Sequence, residues 1–106
     1  MAKALCRISD IPEGEARGFD VGAQRYIVVR RDQAISVFRN ECTHLGIPLE
    51  WQADQFMDPE GELLQCSTHG ALFLPDTGEC ISGPCLGQFL LAVPFGCRGD
   101  HVFLED

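Results

Sequence analysis

The sequence holds no apolar run long enough to cross a bilayer. Its first residues, Met1-Ala2-Lys3-Ala4-Leu5-Cys6-Arg7, lack the apolar stretch of an export signal. The expectation is therefore a cytoplasmic location. Positive charge is also scarce: 8 Lys and Arg face 16 Asp and Glu, a formal net charge of −8. That balance excludes nucleic acid, whose phosphates demand a basic surface. It also argues against an anionic membrane surface. A basic protein partner is compatible with it, and so is simple solubility. The chain carries no glycine-rich nucleotide loop and no nucleophile elbow, so phosphate binding and acyl transfer find no support. Tryptophan and tyrosine occur once each, and histidine only three times.

What remains is ordinary for a globular protein: 45% hydrophobic and 23% charged residues in 106. That length fits one domain with a modest core, which a bound metal can stabilise. Six cysteines are compatible with a disulfide scaffold, but without an export signal a reducing compartment argues against one. Cys6 and Cys97 sit beside apolar strand-like runs, where a free thiol acts as a small hydrophobe. Cys80 and Cys85 are close enough in sequence to approach one another, although a reducing cytosol opposes a native disulfide.

Short extended runs broken by Gly, Asp and Pro dominate, which predicts an all-β fold. Strands are expected at Ala4–Ile8, Gly18–Val21, Arg25–Arg30 and Ala34–Arg39. Tyr26-Ile27-Val28-Val29 is aromatic and β-branched, and reads as a central strand. Ile11-Pro12-Glu13-Gly14 turns the chain, and Arg31-Asp32-Gln33 is a tight connection. Leu63–Gln65 and Leu72-Phe73-Leu74 flank a further segment, and Asp76-Thr77-Gly78-Glu79 is a hairpin-type turn. Phe89–Pro94 and His101–Leu104 are expected to form a last hairpin across Gly96–Asp100. A short helical turn is expected near Glu50–Phe56.

Two of the three histidines each lie within three positions of a cysteine: Cys42-Thr43-His44 and Cys66-Ser67-Thr68-His69. Each segment offers one soft thiolate and one borderline imidazole, and each continues into glycine, at Gly46 and Gly70. Two adjacent loops carrying such mixed pairs suit a binuclear centre with an all-sulfur end and a nitrogen-bearing end. The competing metal is a structural zinc of Cys₂His₂ type. Zinc fingers usually pair Cys with Cys and His with His, whereas each pair here is mixed.

Cys42-x-His44-x-Gly46, a spacer, Cys66-x-x-His69-Gly70, then Thr77-Gly78-Glu79 and Gly83-Pro84 together resemble the Rieske 2Fe–2S family. The resemblance covers nearly the whole chain. It implies a small antiparallel β-sandwich or barrel over residues 1–106, with a cluster-binding part at about residues 40–84. It implies that Cys42 and Cys66 bind one iron and that His44 and His69 bind the other, exposed one. Gly83-Pro84 then matches the third loop that covers the cluster. Backbone N–H groups near Leu45, Gly46 and Gly70 are expected to donate to cluster sulfurs.

Three departures from the family pattern stand out. The spacer is longer than usual, with the excess expected in a surface excursion over Trp51–Glu60. The disulfide of high-potential respiratory members has Ile47 and Thr68 at its cysteine positions, so it is absent. The hydroxyl donors of those members are replaced by Ala71 and Phe73. Fewer hydrogen bonds to sulfur imply a potential toward the low end of the Rieske span of about −150 to +300 mV.

His101 reads as a surface or hairpin histidine, and Trp51 as packing over the excursion or, alternatively, as part of a partner-docking surface. Glu50, Asp54, Asp58, Glu60 and Glu62 make that stretch acidic, either as a solvated loop or as a docking patch for a basic partner. The mononuclear iron of a complete Rieske oxygenase has no ligand set here, since only His101 is left. The resemblance implies a ferredoxin-type electron carrier between a reductase and an oxygenase or other acceptor. This is a role within an oxidoreductase system without catalytic residues of its own. The alternatives are a cluster-bearing accessory subunit of a larger reductase, similar to the small subunit of nitrite reductase, and a structural zinc or redox-sensing module.

Overall fold

A computed structural model describes residues 3–31, 34–41, 56–57, 61–66, 70–83 and 85–105. Among them the regular structure is antiparallel β, with one short 3-10 turn at Ile8–Asp10. The strands are β1 (Lys3–Arg7), β2 (Glu15–Val21), β3 (Gln24–Arg31), β4 (Ala34–Arg39), β5 (Leu64–Gln65), β6 (Leu72–Phe73), β7 (Cys80–Ser82), β8 (Phe95–Arg98) and β9 (His101–Leu104). They form three sheets, ordered β1-β9-β8, β2-β3-β4 and β5-β6-β7. Among the described residues no helix is long and apolar enough to cross a membrane.

The β2-β3-β4 sheet is the middle layer, and its sequence shows why. Successive strand residues point to opposite faces. Ile27, Val28 and Val29 are all buried, so both faces of β3 must be covered. One face carries Ile27, Val29, Phe38 and Ala16, which join a core with Leu64, Phe73, Cys80 and Leu90. The other carries Val28 and Val37, which pack with Ile11, Val102 and Leu104. The central position expected for Tyr26–Val29 is therefore observed, and a run without polar alternation is its signature.

Away from the Cys/His segments and the stretch between them, two expectations differ from the structure. The last hairpin is β8–β9, with Phe95 opposite Leu104 and Arg98 opposite His101. Phe89–Pro94 lies elsewhere: Phe89 bridges Glu79 and Ala92 bridges Phe38. The Arg39 N–H donates to the Leu91 carbonyl and the Val93 N–H to the Val37 carbonyl, so this segment runs along the edge of β4. Buried Leu90 holds it there. The second difference is Cys97, which is exposed on β8 rather than buried. Cys6 on β1 is half-buried, and burial pushes its thiol up to about 11, with Asp10 adding to the effect.

Candidate metal centre

The second Cys/His segment is the connection of the β5–β6 hairpin. Leu64 pairs with Phe73 and Gln65 with Leu72. One step further the Cys66 N–H donates to the Ala71 carbonyl at 2.8 Å, which extends the pairing to the root of the turn. The Gly70 N–H then donates to the Cys66 carbonyl at 2.7 Å, with Gly70 at φ +69°. This region of backbone space suits glycine, which explains why glycine ends the segment. The expected donor to a cluster sulfur at Gly70 is instead engaged in closing the turn.

Cys66 itself is fully buried, in one core cluster with Ala71, Phe73, Cys80 and Cys85. Behind it, Phe56 is fully buried, and its carbonyl accepts from the Gln65 N–H at 2.7 Å. Met57 bridges Leu64. Within the expected surface excursion, Phe56 and Met57 thus lie β-like against β5, while its other residues, and those of the expected helical turn before Phe56, lie outside the described residues. The Phe56-Met57 apolar pair amid acidic neighbours was the available sign of this.

The third loop reaches the same place. Gly83 has φ +105°, and a Cβ built on it meets the Ala71 Cα at 2.8 Å. Its backbone therefore lies directly on the residue that ends the second Cys/His segment. Only a residue without a side chain permits that approach. The Asp76–Glu79 turn fastens this region to the middle sheet. The Leu74 and Gly78 N–H groups donate to Glu79 and Leu74 carbonyls, and a Cβ on Gly78 meets the Phe38 ring at 2.9 Å.

Of the four expected ligands, Cys66 is placed. Cys42, His44 and His69 lie outside the described residues, as do Leu45, Gly46, Pro84, Trp51 and the Asp32-Gln33 connection. Ala71 and Phe73 are buried beside Cys66, and neither carries a hydroxyl. His101 is half-buried on β9, its ring 6.1 Å from that of Phe103.

Residues 1–95 match the Rieske [2Fe-2S] domain family. The chain belongs to that family. The Rieske chain is similar to the biphenyl dioxygenase ferredoxin subunit of Pseudomonas sp. strain KKS102, with 28% identity over 100 residues, 94% of this chain and 87% of that protein. The cytochrome b6-f complex iron-sulfur subunit of Chlorobaculum thiosulfatiphilum is 33% identical over 78 residues. That match takes in 74% of this chain but spans only 39% of that subunit. Among solved structures, a complex of reduced oxygenase and oxidized ferredoxin in carbazole 1,9a-dioxygenase superposes with a TM-score of 0.75 at 25% identity. The superposition covers 97% of this chain and 91% of that one.

The Rieske chain's cofactor is accordingly a Rieske-type 2Fe–2S cluster. The described residues suit it. A cysteine sulfur at the root of a tight turn, shielded from water by Phe73 and Ala71, is a soft donor of the kind iron–sulfur centres use. Family membership also favours iron over the structural zinc left open by ligand chemistry alone.

Proposed function

We propose that this protein carries single electrons from a reductase to an oxygenase or comparable acceptor. The observation that carries this reading is the near end-to-end match to a dioxygenase ferredoxin subunit, in sequence and with no large unmatched portion on either side. When bound, the cluster supplies reversible one-electron storage. Cys42 and Cys66 hold its inner iron and His44 and His69 its outer iron. The chain's own contribution is to bury the Cys66 side within an apolar wall and to present a surface for docking.

The surface around the third loop supports the docking role. Ile81, Leu86, Phe89 and Leu91 are exposed, Leu86 by 68%. Single exposed apolar residues are unremarkable, but here four fall within eleven positions around one hairpin. The net charge of −8 favours a partner with a basic surface. The chain acts in the cytoplasm, as one domain over residues 1–106.

Ala71 and Phe73 supply no hydroxyl to the cluster sulfurs. The potential therefore lies toward the low end of the family span of about −150 to +300 mV. Protein-film voltammetry checks this, and a value well above the middle contradicts it.

The carrier role is tested by adding catalytic amounts of the reduced protein to a reductase and a ferredoxin-dependent Rieske oxygenase. Turnover that saturates with this protein, and weakens as salt is raised, supports it. Isolation only as a tight stoichiometric complex, with no exchange between donor and acceptor, supports the accessory-subunit alternative instead.

A further inference from the structure

Cys80 and Cys85 sit on either side of the third loop, and their sulfurs are 2.9 Å apart. That is well inside the usual contact of two unbonded sulfurs, and about 0.9 Å from the ~2.05 Å of a disulfide bond. The Cys85 thiol donates to the Cys80 sulfur, and the Cys80 thiol donates to the Ser82 carbonyl at 3.3 Å. The backbone holds the pair in register. The Cys80 N–H donates to the Gln88 carbonyl at 2.7 Å, and the Gly87 N–H to the Cys80 carbonyl at 3.2 Å. The Gln88 N–H closes the turn onto the Cys85 carbonyl at 2.9 Å.

We propose that Cys80 and Cys85 form an oxidant-responsive dithiol that closes reversibly to a disulfide and locks the third loop onto Ala71. The oxidant class is a hydroperoxide, with hydrogen peroxide the smallest member. One thiolate attacks a peroxide oxygen, releases water and becomes a sulfenic acid. The second thiolate then attacks that sulfur, and the sulfenic oxygen leaves as water. The sum is two thiols and one hydrogen peroxide giving one disulfide and two waters. Each sulfur ends oxidised by one electron, and the peroxide is reduced by two.

Two observations favour this role over inert packing. The resolving sulfur is already in contact, so a sulfenic acid formed on either cysteine meets its partner before any outside thiol. Both thiols are buried, but the residues between and beside them are not: Ile81, Ser82, Gly83, Leu86, Gly87 and Gln88 are all exposed. A small oxidant needs only this turn to lift, whereas a bulky disulfide reagent needs far more room. Burial, with the hydrogen bond to Cys85, pushes the Cys80 thiol up to about 11, so little thiolate is present at neutral pH and closure waits on opening of the turn. The bridge is distinct from the family's inter-loop disulfide, whose positions here are Ile47 and Thr68.

The loop's seat on the second Cys/His segment gives the bridge its consequence. Gly83 lies within the closed ring and packs on Ala71. Closing the ring removes the freedom of the turn to peel away from that segment.

The test uses anaerobically purified, thiol-reduced protein with its cluster, treated with equimolar hydrogen peroxide. Free thiols are then alkylated in denaturant and the chain is cleaved after glutamate. Cleavage at Glu79 and Glu105 leaves Cys80, Cys85 and Cys97 on one fragment, apart from Cys6, Cys42 and Cys66. Mass spectrometry is expected to find that fragment lighter by two hydrogens, with Cys97 alkylated, and restored by a dithiol reductant. The Tm is expected to rise on oxidation. C97S should still form the bridge and C85S should not; if C85S does not fold, the wild-type mapping decides alone. Both cysteines alkylated as before treatment, a bridge to Cys97, sulfinic acid without a bridge, or an unchanged Tm overturns the proposal. The readout does not pass through the cluster, so it stands or falls separately from the carrier reading.

Discussion

Gly83 carries two constraints at once, a left-handed backbone and a contact with Ala71 that leaves no room for a Cβ. Gly83→Ala is therefore expected to destabilise the fold by about 1–3 kcal/mol. Chemical denaturation checks this, and an unchanged midpoint contradicts the packing described. The thiols of Cys6 and Cys80 supply a pH prediction. Burial is the main cause that pushes both from 9.0 to about 11. The folded chain holds these protons after the unfolded chain has released them. Their contribution is thus fully present below pH 9 and is lost as pH rises toward 11. Unfolding by urea across that window should show falling stability, with a shallower fall in a C6S/C80S variant. An equally steep fall in that variant places the effect elsewhere.

At the scale of elements, the β5-β6-β7 sheet depends on a few residues that fasten it to the middle layer. Gly78 is one, with φ +79° and only 2.9 Å between an added Cβ and the Phe38 ring. Gly78→Ala should cost about 1–3 kcal/mol. Hydrogen exchange should speed up first at Leu74 and Leu90, whose N–H groups bond across this turn. Protection lost evenly over the whole chain contradicts a local fastening role. The sequence made the Asp76–Glu79 turn legible because Asp, Thr and Gly act locally. The β3 core was legible because a β-branched run fits only a covered strand. The path of Phe89–Pro94 was not, since its alternation marks a strand without naming its neighbour. Burial of Phe56 was signalled only by its pairing with Met57, amid acidic residues that read as an exposed stretch. The contact between Cys80 and Cys85 was suggested by their spacing, but only the folded turn brings the sulfurs to 2.9 Å.

For the whole molecule, three small sheets divide the work. The β1-β9-β8 sheet and one face of β2-β3-β4 enclose the core around Val28, Val37 and Val102. The opposite face of the same middle sheet supports the hairpin that carries Cys66. The cluster-binding part is thus anchored on a layer that is itself packed from behind. This arrangement suits a carrier, which needs a fixed site and an accessible docking face rather than a substrate cavity. The cofactor class was readable from two mixed Cys/His pairs, whereas identities of donor and acceptor depend on surfaces that motif spacing does not encode.

The proposed ligands of the 2Fe–2S cluster are Cys42, Cys66, His44 and His69. The most direct measurement is electron paramagnetic resonance of anaerobically purified protein before and after dithionite reduction, with iron and zinc analysis on the same sample. The expected result is a Rieske-type signal in the reduced state only, with two irons per chain, lost on Cys66→Ser. Zinc without iron, and no signal even after anaerobic reconstitution with iron and sulfide, would contradict it.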